Sequence, residues 1–307
     1  MADTPLKTYH GACHCNKIKF SLALPEIKTF TECNCSICFR KAYAWVFPPA
    51  GSLVFEDGFG EEGLRAYEFA ARRMEHRFCK SCGTGIMGKD MARTLKDVDI
   101  ESLTGNKFDG ATLEPHFTPH KFHGTLPMTG TPDSKTCFGS CHCGATTMAL
   151  QAKELVEDNE FIQKCNCSIC STRGSILIYP HTSAFTAATC SLQPLVPYTF
   201  GPRLQEHLFC PMCGVYVYIR KKDDIPLEKF RKYGGSKSQG LGDEELKEKM
   251  KVWEGIVPVN LRCFEGVEWE KLNIKKGDWK GWLEGETFDD LDGSERMFLK
   301  EFSSTGF

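Results

Sequence analysis

No stretch of this 307-residue chain approaches the roughly 18 uncharged apolar residues that a membrane span requires. Neither sign of charge dominates. The 38 Lys and Arg against 40 Asp and Glu leave a formal charge of −2, so nothing draws the whole molecule toward nucleic acid or an acidic membrane. The opening residues MADTPLKTYH lack the basic-then-apolar profile of a secretory leader, which sets the expectation of a cytoplasmic protein, with the nucleus as the other compartment. A G-x-S-x-G elbow and a Walker loop are missing, against serine-hydrolase and P-loop chemistry. What the chain has in excess is cysteine, at 17 residues.

In a reducing compartment clustered cysteines bind metal or do redox chemistry rather than form disulfides. Here the count is odd, and most of the residues sit in C-x-C and C-x-x-C spacings. Two thiols that close are poor partners for each other and good partners for one ion. Read against itself, the chain repeats. Cys13 and Cys15 in GACHC recur as Cys141 and Cys143 in GSCHC. Cys33, Cys35 and Cys38 in CNCSIC recur as Cys165, Cys167 and Cys170 in an identical CNCSIC. Cys79 and Cys82 in FCKSCG recur as Cys210 and Cys213 in FCPMCG. Cys137, Cys190 and Cys263 have no counterparts and read as packing or surface thiols.

Copies this long are domains rather than solenoid units. The expected division is a first zinc domain over 1–110, a linker over 111–136 rich in Pro, Gly and Thr, a second zinc domain over 137–285, and a tail over 286–307. Residues 221–251 are an insertion that the first copy lacks; its mixed charges and glycines read as an exposed loop with a short solvated helix. Beyond it VPVNLRCFEG resembles DVDIESLTG of the first copy. Ile18, Phe20, Leu22 and Leu24 alternate with other residues, and AYAWVF (42–47), SILIYP (175–180) and VYVYI (215–219) are rich in β-branched and aromatic residues. The fold class is therefore mainly β, two tandem domains of short strands tied together by metal.

Seven cysteines per copy divide as four and three, the donor counts of a closed structural zinc and of one with an open position. The C-x-x-C-G motifs read as zinc knuckles, with glycine permitting the tight turn. Spacing alone leaves open whether the C-x-C pair or part of the triplet completes each of them. The favoured division places Cys13, Cys15, Cys79 and Cys82 on one ion and Cys33, Cys35 and Cys38 on another. In the second copy it places Cys141, Cys143, Cys210 and Cys213 on one ion and Cys165, Cys167 and Cys170 on another. That makes two zinc ions per domain and up to four per chain. A four-thiolate site staples strands; a three-thiolate site leaves room for a guest whose pKa the metal lowers. A small thiol such as glutathione fits that vacancy. His14 and His142 inside C-H-C, and His76 and His207 before the knuckles, are candidate supporting donors. His116, His120 and His123 form a loose cluster in the linker.

With these residues in view, G-A-C-H-C, then C-N-C-S-I-C, then H-x-F-C-x-x-C-G resembles the glutathione-dependent formaldehyde-activating enzyme / centromere protein V family. The resemblance implies an Mss4-like β fold in each copy, the same division of the cysteines, and substrate near the three-cysteine zinc. It implies carbon–sulfur lyase or S-hydroxymethylglutathione synthase chemistry, with glutathione as substrate or ligand. The usual glycine after C-x-C is Gly144 in the second copy and Asn16 in the first, and asparagine also tolerates positive φ. Basic residues usually follow the triplet: Arg40 and Lys41 in the first copy, Arg173 in the second. They are the candidate substrate-binding residues for an anionic thiol. The rival readings are a zinc-stabilised binding module of the chromosome-associated kind, against which the absence of a basic arm counts, and a thiolate redox sensor.

Overall fold

The computed structural model describes residues 5–49, 51–56, 58, 60–72, 74–88, 94–95, 98–128, 134–152, 162–234 and 238–277. The tail assigned to 286–307 lies outside them. In the first half the strands are β1 (Lys7–Ala12), β2 (Lys19–Leu24), β3 (Thr29–Cys33), β4 (Ala44–Trp45), β5 (Leu53–Phe55), β6 (Leu64–Tyr67), β7 (His76–Cys79), β8 (Gly85–Met87) and β9 (Thr104–Phe108). They make three sheets, ordered β1-β2-β5, β4-β3-β9 and β6-β7-β8. The alternation along β2 is the reason it forms: Phe20, Leu22 and Leu24 share one face and are buried with Ile18, as a half-buried strand requires. One short helix, α1 (Ser36–Lys41), joins β3 to β4.

The second half repeats the plan with β10 (Lys135–Ser140), β11 (Thr146–Ala152), β12 (Ile162–Cys165), α2 (Ser168–Arg173), β13 (Leu177–Ile178), β14 (Phe185–Thr189), β15 (Val196–Tyr198), β16 (Gln205–Phe209) and β17 (Tyr216–Lys221). β18 (Val259–Asn260) then links the last two sheets, so that β15-β16-β17-β18-β13-β12-β19 is continuous, with β19 (Lys275–Gly277) at its edge. β19 runs parallel to β12 as β9 runs parallel to β3. The similarity of 98–105 to 257–266 is structural too: Asp99 and Asn260 each cap a short 3₁₀ turn by accepting from the backbone N–H two residues on. The chain also holds G-x-G-x-x-G spacing over 58–63. Its last three residues form only a 3₁₀ turn leading into β6, with no dinucleotide-type helix behind them.

The insertion differs from the expected loop and solvated helix. It carries two helices, α3 (Leu227–Tyr233) and α4 (Asp243–Glu254), which pack on each other. Phe230 and Leu246 are fully buried there with Leu204 and Ile225. A few apolar residues at helical spacing inside a charged stretch suffice to give it a small core of its own.

The halves pack on each other through reciprocal contacts. His14 of the first half lies between Tyr198 and Ser168 of the second, with Nδ1 2.7 Å from the tyrosine oxygen and Nε2 2.9 Å from the serine oxygen. His142 of the second half lies between Tyr67 and Ser36 of the first, at 2.7 and 2.8 Å. Gly83 faces the Phe209 ring and Gly214 faces Phe78, both glycines at positive φ and both so close that a Cβ would collide with the ring. The repeat along the chain is thus also a two-sided, self-complementary interface, of the kind a symmetric dimer uses.

Candidate metal centres and the cavity beside them

The sulfurs of Cys13, Cys15, Cys79 and Cys82 come within 4.8 Å of one another, as do those of Cys141, Cys143, Cys210 and Cys213. Cys13 and Cys15 are 3.4 Å apart and Cys15 and Cys79 3.7 Å; in the second group Cys141 and Cys143 are 3.7 Å apart and Cys143 and Cys210 3.6 Å. Four sulfurs bonded to one zinc at about 2.3 Å have edges of about 3.8 Å, so both groups match the ion in number, chemistry and spacing. Local backbone geometry puts them there. Asn16 and Gly144 turn the chain at φ 57° and 76°, and Gly83 and Gly214 at 71° and 68°. The Ile18 and Thr146 amides then donate to Cys13 and Cys141, each at 3.3 Å.

The trios are built on a different device. Cys33 ends β3, Cys35 caps α1 and Cys38 lies within α1, so a strand end and a helix start converge on one point; Cys165, Cys167 and Cys170 repeat this on β12 and α2. Each trio holds its three sulfurs within 4.8 Å of one another, and among the described residues no fourth cysteine, histidine or carboxylate ligand atom joins either group. The Cys35 and Cys167 amides donate to Cys33 and Cys165 at 3.4 Å. Hydrogen bonds from the Cys35 and Cys38 thiols, then from the Cys35 and Gly110 amides, hold Cys33 down at about 3, the thiolate state that a metal requires.

The two trios differ in what covers them. Cys165 and Cys170 are buried in a core with Ile169, Leu177, Tyr216 and Ile219, and Tyr179, Tyr198 and Phe200 pack against them. The first trio borders a cavity of about 1140 Å³, at the upper end of ordinary small-molecule sites. Its wall is drawn from both halves: β4, α1, Tyr67, Phe69, Met74 and His76 of the first, His142, Cys143 and Glu265 of the second, and residues 113–118 and His120 of the linker. The linker therefore closes the site rather than merely spanning the halves. Trp45 donates its indole N–H to Cys38 at 3.3 Å; the second copy has Leu177 at that place in its β13, which offers no donor.

Of the three basic residues singled out above, only Arg40 lines this cavity. Each of its three nitrogens is already bonded: Nε donates to the Ser140 carbonyl, Nη1 to the Ser36 carbonyl, Nη2 to the Glu265 carboxylate, and its face lies 4.6 Å from the centre of the Phe117 ring. Lys41 and Arg173 point elsewhere, across the interface. Lys41 donates to the Cys213 carbonyl at 3.4 Å and Arg173 to the Cys82 carbonyl, so each basic side chain reaches the four-cysteine group of the other half. Burial pushes Lys41 down to about 8, against the pull of the Cys213 thiolate. The linker histidines do not gather: His120 bonds the His142 carbonyl at 3.1 Å while His116 pairs with Glu114 at 2.9 Å.

Sequence reasoning missed Tyr67, Ser36 and Trp45. Tyr67 stands in no motif, and only its match in position to Tyr198 could have signalled it; Ser36 is the serine of the repeated CNCSIC, as Ser168 is, and that repetition was its signal. His14, His76, His142 and His207 are all buried, and burial lowers them to about 3, about 4, about 3 and well below the ordinary range respectively. A histidine that resists protonation only when folded favours the unfolded chain once the pH drops below the unfolded value of about 6.5. We expect stability to be flat above that pH and to fall below it, by up to about 1.4 kcal/mol per pH unit for each such histidine. Urea midpoints at pH 7.5 and 5.5 check this; His207→Gln should flatten the fall, and an unchanged slope would remove the histidines as its cause.

The fold and its centres define a class, a mainly β protein carrying cysteine-built metal sites. Residues 8–119 match the family model described as Glutathione-dependent formaldehyde-activating enzyme. Over those residues, about a third of the chain, the sequence is similar to that family. A crystal structure of a Rhodobacter sphaeroides protein is similar at 24% identity, covering 46% of this chain and 98% of that one, with a TM-score of 0.31. A superposition that weak carries no structural argument. No helix among the described residues is long and apolar enough to cross a membrane.

Proposed function

We propose that the protein is a zinc-dependent enzyme whose working centre is Cys33, Cys35 and Cys38, acting on a small electrophile or its thiol adduct by carbon–sulfur lyase-type chemistry. The observation that carries this reading is the cavity: Cys33, Cys35 and Cys38 all border it, and Cys33 is half-buried where its counterpart Cys165 is buried. On this reading the second domain is a tandem copy turned scaffold, supplying His142 and Glu265 to its neighbour's wall. Cys13, Cys15, Cys79 and Cys82, with Cys141, Cys143, Cys210 and Cys213, hold structural ions, and Cys165, Cys167 and Cys170 a fourth. The 17 free thiols suit a reducing compartment, the cytoplasm or the nucleus.

A three-thiolate zinc supplies an open position that stabilises a thiolate or a carbonyl oxygen. The protein's own groups do the rest. In the synthetic direction the sulfur of a thiol adds to a carbonyl carbon: the C–S bond forms as the C=O π bond opens, and the thiol proton ends on the oxygen. The lyase direction is the reverse. Ser36 borders the cavity and is hydrogen-bonded to His142, which is in turn hydrogen-bonded to Tyr67. Burial keeps His142 neutral, so it acts as a hydrogen-bond partner that orients the Ser36 hydroxyl beside the trio, where the hydroxyl can pass the proton between sulfur and oxygen. The aromatic walls exclude water from the adduct.

Serine at Cys33, Cys35 and Cys38 together should abolish turnover of a thiol–aldehyde adduct and remove one of four metal equivalents. The same change at Cys165, Cys167 and Cys170 should also remove one equivalent yet leave turnover within about tenfold. Turnover that survives the first change would sink the reading.

A further inference from the structure

The walls around the first trio form a belt of rings in unbroken contact. Phe47 stacks on Trp45 at 6.1 Å and 12°. Trp45 meets His76 at 6.0 Å, His76 meets Phe69 at 5.6 Å, Phe69 meets His142 at 4.4 Å, and His142 meets Phe117 at 5.0 Å. All six rings line the cavity. At the mouth the belt is open: Phe47 is 60% exposed and Leu113 49%, apolar surface that a soluble chain leaves uncovered at a binding site more often than elsewhere.

Charge is as informative as shape. Among the described lining residues Arg40 is the single lysine or arginine, each nitrogen of its guanidinium is hydrogen-bonded within the protein, its face lies on Phe117, and its side chain is only 4% exposed. Apart from the trio itself, the other formal charges at the wall are carboxylates, Glu114 and Glu265. Glutathione carries two carboxylates and one ammonium. Its carboxylates would have to leave water for an aromatic surface with no free cation to receive them, which is costly. A flat, uncharged ring system meets the opposite balance, since ring-on-ring contacts each add to the apolar area buried.

We propose that the cavity selects a neutral aromatic carbonyl compound, or the adduct of one with an apolar thiol, and discriminates against glutathione. The proposal rests on the reading of Cys33, Cys35 and Cys38 as the reactive centre, but the ring belt that argues for it is independent of the metal.

The test uses the full-length, metal-loaded chain with Co²⁺ in place of zinc, so that ligand arrival at a trio is read from the cobalt absorption and cavity binding from tryptophan quenching. The probes are 2-naphthalenethiol, 2-naphthaldehyde and glutathione. The naphthyl probes should bind at least about 100-fold tighter than glutathione, and Phe47→Ala and Phe117→Ala should each weaken them about tenfold with metal content unchanged. Phe47→Arg, at the exposed rim, should reverse part of the preference by strengthening glutathione and weakening the naphthyl probes. Glutathione binding as tightly as the naphthyl probes, or neither binding, would overturn the proposal. Naphthyl quenching without any change in the cobalt spectrum would uphold the aromatic cavity and remove the trio as the reactive centre. A cobalt response to glutathione alone would do the reverse.

Discussion

Removing one sulfur from a four-cysteine group, as in Cys82→Ser, is expected to unfold both halves in a single transition. The group ties the β1–β2 turn to the β7–β8 knuckle, and four-thiolate zinc binding contributes on the order of 10–16 kcal/mol to folding. A whole domain is stable by only about 5–15 kcal/mol, so the first half has little left once its staple fails. The second half does not survive on its own account. Its Ser168 and Tyr198 are bonded to His14, its Arg173 reaches the Cys82 carbonyl, and its Phe209 packs on Gly83. All of these partners sit on or beside the first half's four-cysteine group, so its collapse takes the interface with it. Calorimetry of the variant should show loss of the native transition, and titrating the native chain with a zinc chelator should give far-UV and tryptophan signals that coincide. A residual transition with the enthalpy of the second half alone would show the halves to be independent, and the interface to be mere contact.

Much of this was legible in the residues and some of it was not. C-x-C and C-x-x-C mark neighbouring thiols as partners at a common point, but spacing alone left open which pair meets which; in the structure the C-x-C pair meets the C-x-x-C pair and the trio stands apart. Asn16 could be read as a left-handed turn residue from its place opposite Gly144, and the structure gives it φ 57°. The mainly β character was legible because short alternating runs such as β2 have one face to bury. What spacing could not convey is which half a side chain belongs to once the chain has folded back. Arg40 and Lys41 are neighbours in sequence, yet successive residues on a helix point about 100° apart. One therefore lines the cavity and the other crosses to Cys213. The linker looked like a spacer because proline and glycine mark irregular backbone without saying what it lies against. The helical pair of the insertion was hidden by its charge, since its buried residues are few.

The placement of Lys41 and Arg173 leads to the second large effect. A zinc held by four thiolates carries a net charge of −2, and burying such a charge is expensive unless a cation accompanies it. Burial lowers Arg173 while the Cys82 thiolate opposes that, and Lys41 stands in the same relation to Cys213. Each cation grows from the helix that carries one half's trio and neutralises the other half's four-cysteine group. Arg173→Met should therefore lower metal affinity at Cys13, Cys15, Cys79 and Cys82, although Arg173 lies about 90 residues away from that group, so that under chelator this group empties first and the nearer group of its own half only after it. Lys41→Met should do the opposite. Removing one partner of a buried charge pair costs about 3–5 kcal/mol, which is a loss of more than about 100-fold in metal affinity. Cadmium-loaded protein reads this directly, since each centre gives its own ¹¹³Cd resonance and chelator competition can be followed centre by centre. Arg173→Lys should restore most of the loss, because charge rather than fork geometry is what the group requires. If Arg173→Met instead releases metal from the centres of its own half, or from none, the crossed pairing is structural packing alone. The two copies would then share an interface without sharing the electrostatic cost of their metals.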